Sequence, residues 1–392
     1  MSYFDRTARR RSITASLGVG TAVLLLLAAW TAFAPSPGDH ATEHSHAKLS
    51  ASPMPSQRAA KAQNVEPTIA SVDGDAGVTA PTRQVPITPI PPLGTRGKTK
   101  LWVRSKYGAA EELLGFRPIP PGGAGASRVP QGFVVTKEGD LLVLDSEKKR
   151  LVWYGRDAQI KRKLPLEGGL LMPADIAIAA DGTIAVMDHE GIHTKGTVLL
   201  SPDGKLKGML PQSGGGMIRE MYTVGNDVFG DVGGAIKLGE TSGVPSHETP
   251  GLYDQDGRVP GNVAPDGRTI VTSGVESRKE GRFFISVLRD DPPKHLYTRQ
   301  YVVPVKSSLS IPYVQSDATG TIYVVLYYDR DKTTLVCLDG ETGDPLGSVA
   351  MPMDDAMTGS AFKQWSINRE QGGLVYHHLL EDASSFEIYD CR

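Results

Sequence analysis

The sequence predicts an all-β fold: a six-bladed β-propeller that is closed by an N-terminal strand and preceded by one transmembrane helix and a disordered linker. Three observations lead to this prediction. The 392 residues include 44 glycines and 28 prolines but only 7% aromatic residues, which is typical of a turn-rich β protein. A motif of strand, tight turn and strand recurs along the chain. An uncharged segment near the start is followed by a proline-rich one.

The N-terminus predicts a membrane anchor. Residues 1–12 form a basic tail, and residues 13–34 carry no charge over a length that spans a bilayer. The basic flank predicts a single-pass protein of the cytoplasmic (inner) membrane whose C-terminal part is extracytoplasmic, or periplasmic. A cleaved signal peptide is the alternative, although Pro35 disfavours cleavage after Ala34. The paired arginines also allow a twin-arginine signal.

Residues 35–98 are rich in Pro, Ala, Ser and Thr and predict a disordered stalk, because so few large apolar residues cannot offset the entropy of ordering. The stalk contains the densest set of metal-ligating side chains in the sequence, namely Asp39, His40, Glu43, His44 and His46. His40, His44 and His46 are candidate ligands for zinc or copper, or a pH sensor. Chance enrichment in a polar linker is the favoured interpretation.

Residues 99–392 contain the repeat. The stretch from Pro130 to Lys148, PQGFVVTKEGDLLVLDSEK, aligns without a gap with PADIAIAADGTIAVMDHEG, from Pro173 to Gly191. Each copy predicts one strand, a tight turn at Gly, and a second strand. Further copies predict six units that begin near residues 130, 173, 217, 261, 312 and 362. A spacing of 40 to 50 residues with about four strands is typical of a propeller blade.

The two ends of the repeat region predict how the ring closes. The last unit reaches Arg392 after only three strands, whereas an unassigned strand-like stretch, Lys100 to Lys106, precedes the first unit. We therefore expect the N-terminal strand to complete the last blade, which removes the exposed edges that an open ring would leave.

The first unit carries a pattern that resembles the NHL repeat. In VLDSEKKRLVWYGRDAQ, Asp145 ends a strand, turn residues follow, and Arg150, Leu151 and Tyr154 take the family's next positions, with Lys148 where the family usually has Asn. The resemblance is strongest over residues 130–204, and it implies a propeller. It does not imply one activity, because propellers include lyases, lactonases and binding modules.

Carboxylates recur where the second strands of the predicted blades end: Asp145, Asp188, Asp329 and Glu381. Such a ring near the channel mouth could hold Ca²⁺. The favoured interpretation is structural, because Asp readily accepts hydrogen bonds from the backbone N–H groups of its own turn, and a structural role recurs in each blade.

The predicted ligand-binding face carries two groups of side chains. His189, Glu190 and His193 follow the second strand of the second unit, where His-x3-His is a zinc-ligand spacing only on a helix. His247 and Glu248 lie in an unusually long connection, and long loops on a rigid scaffold concentrate binding residues. We expect a ligand there, with Ca or Zn as candidate cofactors.

Two pairs of residues give further expectations. His377 and His378 lie mid-strand, so one is expected in the core and the other in a groove. Cys337 and Cys391 fall on third strands of neighbouring blades. An oxidising compartment would permit a disulfide. Because neighbouring blades diverge outward, we expect the thiols to stay apart.

These features predict a membrane-anchored binding or scaffolding module of the cell envelope, with an envelope protein as partner. A net charge of −2 gives no support for nucleic acid as a partner. The alternative is a metal-dependent lactonase or lyase, for which Asn226, Asp227 and Asn262 are scattered candidate ligands. Metal buffering through the stalk histidines is a third hypothesis.

Overall fold

The computed structural model describes most of the chain from Ile87 onward. The described ranges are 87–90, 97–118, 128–188, 196–211, 218–246, 258–259, 261–289, 294–305, 308–329, 332–352, 361–369 and 371–391. Every regular element within these ranges is a β-strand. None of their elements is a helix of the length and apolar character needed to cross a membrane. The predicted anchor at 13–34 lies outside the described residues.

Two strands precede the first blade, and four strands form each of blades 1, 2 and 3. The early strands are β1 (Ile87–Pro89) and β2 (Lys98–Lys106). Blade 1 contains β3 (Gly132–Val135), β4 (Leu141–Asp145), β5 (Arg150–Tyr154) and β6 (Ile160–Pro165). Blade 2 contains β7 (Pro173–Ile178), β8 (Ile184–Asp188), β9 (Thr197–Leu200) and β10 (Leu206–Leu210). Blade 3 contains β11 (Glu220–Val224), β12 (Asp227–Asp231), β13 (Ala235–Glu240) and β14 (Arg258–Val259).

Blades 4, 5 and 6 follow the same order. Blade 4 contains β15 (Asn262–Val263), β16 (Thr269–Ser277), β17 (Arg282–Arg289) and β18 (Lys294–Val302). Blade 5 contains β19 (Leu309–Ser316), β20 (Thr321–Tyr328), β21 (Lys332–Asp339) and β22 (Pro345–Met351). Blade 6 contains β23 (Trp365–Ile367), β24 (Leu374–Leu379) and β25 (Ala383–Asp390). The prediction of a six-bladed propeller is confirmed.

The predicted closure of the ring is also confirmed. Strand β2 is the outer strand of blade 6, antiparallel to β25, with Lys106 opposite Ala383 and Lys98 opposite Asp390. Trp102 and Val103 of this strand are buried against Phe386 and neighbouring apolar residues. Strand β1 lies in the range predicted as stalk, and it pairs in parallel with β18 at the outer edge of blade 4.

Apolar side chains between neighbouring blades form the core. Blades 1 and 2 meet through Leu142, Leu144 and Ile176, all of which are fully buried. The tight turn of each inner hairpin depends on glycine, since Gly139 and Gly182 have φ of +77° and +83°, a region that other residues rarely adopt. Repeated burial of short alternating strands therefore explains why the same stretch of sequence occurs twice.

The expectation that the two cysteines stay apart is wrong. Cys337 of β21 and Cys391, one residue beyond β25, form a disulfide with 5.9 Å between their Cα atoms. Both lie in the apolar cluster between blades 5 and 6. Both side chains are fully buried where blades 5 and 6 pack together, so the two sheets are close enough at this position for a disulfide. The bond covalently joins neighbouring blades.

The predicted difference between the two adjacent histidines is confirmed. His377 is buried and stacks on Phe386 with 4.5 Å between ring centroids, and its Nε2 lies 2.8 Å from Ser384 Oγ. Burial lowers the pKa of His377 to about 3. His378 is half-buried and faces Glu387, with 3.7 Å between Nδ1 and Oε1. The two imidazole rings therefore lie in different environments, one in the core and one at a partly exposed position.

Candidate functional site

The strand directions divide the propeller into two faces. The first strand of every blade runs toward one face, which we call the hairpin face because the turns between first and second strands lie there. The turns between second and third strands lie on the opposite face. The carboxylates that end second strands therefore belong to the opposite face.

A cavity of about 650 Å³ occupies the centre of the ring and opens at the hairpin face. Its walls come from the first strands and hairpin turns of several blades. The residues at its mouth and floor include Asp140, Trp153, Lys161, Arg162, Ala180, Asp181, Glu220, Tyr222, Tyr313, Lys363 and Arg369. Aromatic rings and charged groups thus converge in one concave space.

Lys363 is the residue that crosses the channel. It lies just before β23 of blade 6, where its backbone N–H donates to the carbonyl oxygen of Gln131 in blade 1. Its buried side chain reaches blades 2 and 3, where Nζ donates to the carbonyl oxygens of Ile176 (3.1 Å) and Met221 (2.8 Å). One side chain therefore connects blade 6 to the inner strands on the other side of the cavity.

Asp175 is the counterion of Lys363. Its side chain is fully buried in β7, with Oδ1 2.9 Å from Lys363 Nζ. The carboxylate also accepts the backbone N–H groups of Ile176 (2.7 Å) and Met221 (2.6 Å). Burial raises the pKa of Asp175, and these three donors act in the opposite direction by stabilising the ionised form.

Glu220 is the second carboxyl group near Lys363. It begins β11, its side chain is 13% exposed, and its Oε1 lies 3.8 Å from Lys363 Nζ. Burial raises the pKa of Glu220 to about 8, an effect that Lys363 and Arg369 only partly offset and that Asp175 and Asp231 increase. At neutral pH the group therefore carries its proton.

Arg369 and Tyr222 lie next to each other. The guanidinium carbon of Arg369 lies 4.7 Å from the centroid of the Tyr222 ring. Arg369 also donates to the carbonyl oxygen of Thr223 (2.9 Å) and to Oε1 of Gln315 (3.1 Å). Burial raises the pKa of Tyr222, so its phenol keeps its proton. A cation and an aromatic ring thus lie side by side at the cavity wall.

Charged groups at the mouth are held in pairs. Lys161 Nζ lies 2.7 Å from Asp140 Oδ2, which also accepts the indole N–H of Trp153. The guanidinium of Arg162 lies 3.9 Å above the Trp153 ring. Burial raises the pKa of Asp181, but hydrogen bonds from Thr183, Lys207 and Thr241 outweigh it and lower this pKa to about 2. The mouth of the cavity is therefore polar.

The structure gives Asp145 and Asp188 of the predicted carboxylate ring separate structural roles. Asp145 is buried, accepts the N–H groups of Gly115 and Lys148, and pairs with Arg150 Nε at 2.9 Å. Asp188 accepts the N–H groups of Leu171 and Met172. Asp329 lies 3.8 Å from Lys332, and Glu381 is exposed. In the described part of the chain, no three or more His, Cys, Asp or Glu side chains form a possible metal site.

The candidate ligands of the enzyme hypothesis are not brought together. Asn226 accepts the N–H of Asp181 at the hairpin face, and Asp227 pairs with Lys237 at 2.9 Å. Asn262 begins the inner strand of blade 4, at the other end of the channel, and donates to the carbonyl oxygen of Val314. Each side chain serves a contact between or within blades.

The other predicted site residues are not described by the structure. His189, Glu190, His193, His247 and Glu248 lie outside the described ranges, as do His40, His44 and His46. Their roles stay predictions.

Most residues of the cavity floor carry no signal in the sequence. A signal was present in the two aligned copies, because Asp175 stands where the first copy has Gly132. A Cβ at Gly132 would lie 2.9 Å from Asp175 Oδ1, so the glycine makes room for the carboxylate. A charged residue at an inner-strand position was therefore the informative difference between the copies. Neither Lys363 nor Glu220 lies in a recognisable sequence motif.

The chain is similar to known proteins only in its fold. No family model matches the chain, and no curated protein sequence matches it. Similar solved structures include streptogramin B lyase, at 10% identity over 77% of this chain and 100% of that chain, with a TM-score of 0.38. A DUF4221-family protein from Bacteroides vulgatus gives 10% identity over 76% and 99%, with a TM-score of 0.41. Such low similarity gives no evidence about activity. The assignment of this protein to the six-bladed propellers rests on the strand order in its own structure.

Proposed function

We propose that this protein is a membrane-anchored propeller of the cell envelope that binds a small molecule in the central cavity of its ring. The cavity is the observation that carries the proposal. Its volume of about 650 Å³ is typical of small-molecule sites. Such sites combine aromatic walls with a few convergent polar groups and carboxyls of shifted pKa, as Tyr222, Arg369 and Glu220 do here.

Two features support a location outside the cytoplasm. The uncharged segment 13–34 follows a basic tail, which favours an anchor with the propeller on the far side of the membrane. The disulfide between Cys337 and Cys391 favours an oxidising compartment. An envelope protein as a further partner stays a prediction.

Fractionation of cells that express the full chain tests the anchor. We expect the protein to remain in the membrane fraction after a carbonate wash, and an added protease to digest the propeller in spheroplasts but not in intact cells. Release of the protein by carbonate, or protection of the propeller in spheroplasts, would contradict this part of the proposal.

Native mass spectrometry of the full chain, extracted from its own membranes, tests the cavity. We expect wild-type protein to retain a small molecule. Ala180→Trp places an indole at the exposed mouth and should lose this molecule. Lys279→Trp, on an exposed turn of blade 4, is the matched control and should retain it. Retention by Ala180→Trp, or no retained molecule in any variant, contradicts the proposed function.

A further inference from the structure

We propose that Arg162 forms a subsite at the mouth of the central cavity that binds an oxyanion, a carboxylate or a phosphate group, of the small molecule that the cavity holds. This inference rests on the proposed function, since it names the chemical class of the ligand. It follows from the position of Arg162, from its contacts and from the charges around it.

Arg162 lies where the cavity extends between blades 1 and 2. It is opposite Trp153 in the pairing of β5 with β6, and such cross-strand pairs share one face of a sheet. This face of blade 1 meets blade 2, because Trp153 packs in the same apolar cluster as Ile178. Both Trp153 and Arg162 line the cavity, together with Ala180 and Pro202 of the facing blade. A ligand that extends into this part of the cavity can therefore contact the guanidinium.

The guanidinium of Arg162 is held in place without an oxygen partner. Its central carbon lies 3.9 Å from the centroid of the Trp153 ring. The indole N–H donates to Asp140 Oδ2 at 3.1 Å, and Lys161 Nζ lies 2.7 Å from the same oxygen, so the ring itself is fixed. Within the residues that the structure describes, Arg162 makes no hydrogen bond and no ion pair. Its five N–H donors are therefore available to a ligand.

The other cations of the cavity wall differ from Arg162 in this respect. Each of those that the structure describes has an acceptor or a counterion, and they are Lys137, Lys161, Lys363 and Arg369. A ligand has to displace such a contact before it can use one of these groups, whereas Arg162 needs no exchange. Arg162 is therefore the preferred partner for a negatively charged group.

The acids that line the mouth do not offset the charge of Arg162. They are held in three ion pairs, Lys137 with Glu138 at 3.9 Å, Lys161 with Asp140 at 2.7 Å, and Lys207 with Asp181 at 3.2 Å. Each pair is neutral as a unit, so the positive charge of Arg162 stays uncompensated. A guanidinium presents a planar pair of N–H donors that matches two oxygens of a carboxylate or a phosphate. An anion of this kind is therefore the ligand class that the mouth favours.

Four probes of one chain length test the inference. Butanoate and butyl phosphate are anions, butanamide is neutral and butylammonium is a cation. Each is titrated at low salt into the full chain in a neutral detergent, which brings no lipid phosphate to compete, and saturation-transfer NMR follows binding. We expect an anion to bind about tenfold or more tightly than the neutral and cationic probes, as a charge-assisted hydrogen bond predicts. The tighter of the two anions identifies the oxyanion group.

Two substitutions at Arg162 and one control make the test specific. Arg162→Met keeps an unbranched side chain beside Trp153 but removes the charge and the donors, and it should weaken anion binding about tenfold or more. Arg162→Lys keeps the charge without the planar fork and should give an intermediate affinity. Arg268→Met removes a positive charge from an exposed turn of blade 4 on the same face, and it should bind the anions as wild type does. Thermal melting checks that each variant is folded.

The outcomes separate this inference from the proposed function. Anion binding that is equally tight in Arg162→Met and in wild type overturns the subsite. If butanamide or butylammonium binds as tightly as the anions and Ala180→Trp abolishes this binding, the cavity binds ligands but the oxyanion assignment is wrong. If none of the probes binds to wild type, the inference fails, and native mass spectrometry then decides the proposed function by itself.

Discussion

Glu220 and Asp175 both lie near the ammonium group of Lys363, yet only Asp175 is within hydrogen-bond distance of it. Ionisation of Glu220 therefore lowers the free energy of unfolding by an amount that depends on pH. The unfolded chain ionises this carboxyl near pH 4.5, whereas the folded protein holds the proton up to about pH 8. The contribution of Glu220 to the free energy of unfolding is therefore fully present below pH 4.5 and is lost as the pH rises to 8.

Glu220→Gln should stabilise the protein because the amide stays neutral at every pH. The gain in free energy of unfolding should be small at pH 4.5 and grow to roughly 4 kcal/mol at pH 8, at about 1.4 kcal/mol for each unit of pKa difference. Urea denaturation of both proteins at the two pH values measures it. An equal difference at pH 4.5 and pH 8 would show that Glu220 ionises normally.

Lys363→Met should destabilise the protein, because it leaves the Asp175 carboxylate buried without its counterion. Loss of one partner of a buried ion pair typically costs about 3 to 5 kcal/mol. The double variant Asp175→Asn, Lys363→Met removes both charges and should recover a large part of that loss. Denaturation midpoints of the three variants test the pair, and a double variant no more stable than Lys363→Met would contradict it.

At the scale of elements, the sequence allowed the inner hairpins of blades 1 and 2 to be predicted residue by residue. Their strands alternate and their turns need glycine, and both signals are local. The cavity floor could not be predicted in the same way, because Lys363 and Asp175 are 188 positions apart and no local pattern relates them. The second copy has Asp175 where the first has Gly132. This difference indicated an unusual position, but it did not indicate that Lys363 is the partner of Asp175. Strand β1 was missed because three residues in a proline-rich segment carry no strand pattern.

The disulfide is an element-scale constraint that links blade 5 to blade 6. It closes a loop with a sequence separation of 54 residues, for which the chain-entropy model gives about 4 kcal/mol. The double variant Cys337→Ser, Cys391→Ser should lose about 3 to 4 kcal/mol of unfolding free energy. Denaturation with and without a reducing agent measures the loss. If reductant destabilises the double variant as much as wild type, the bond is not responsible.

At the scale of the whole molecule, β2 decides whether the ring closes. It covers the edge of β25 and buries Trp102 and Val103 in the core of blade 6. Without it, blade 6 would have three strands and an exposed edge. A strand that precedes the first blade in the sequence therefore completes the last blade.

A pair of truncations tests ring closure. Removal of residues 1–106 deletes β2 and should leave a chain that aggregates or is digested rapidly by trypsin. Removal of residues 1–84 keeps β1 and β2 and should leave a monodisperse, protease-resistant protein. Circular dichroism melting and limited proteolysis compare the two. A cooperative melt of the shorter chain that matches the longer one would show that β2 is dispensable.

Hydrogen exchange of the full chain, compared with and without the small molecule that it retains from its own membranes, tests the central claim, that the central cavity is the ligand site. Protection should appear in peptides that cover β7, β11 and the segment from Lys363 to Arg369, and Ala180→Trp should abolish it. Protection confined to the outer strands, or the same protection in Ala180→Trp, would show that the cavity is not where the protein binds its ligand.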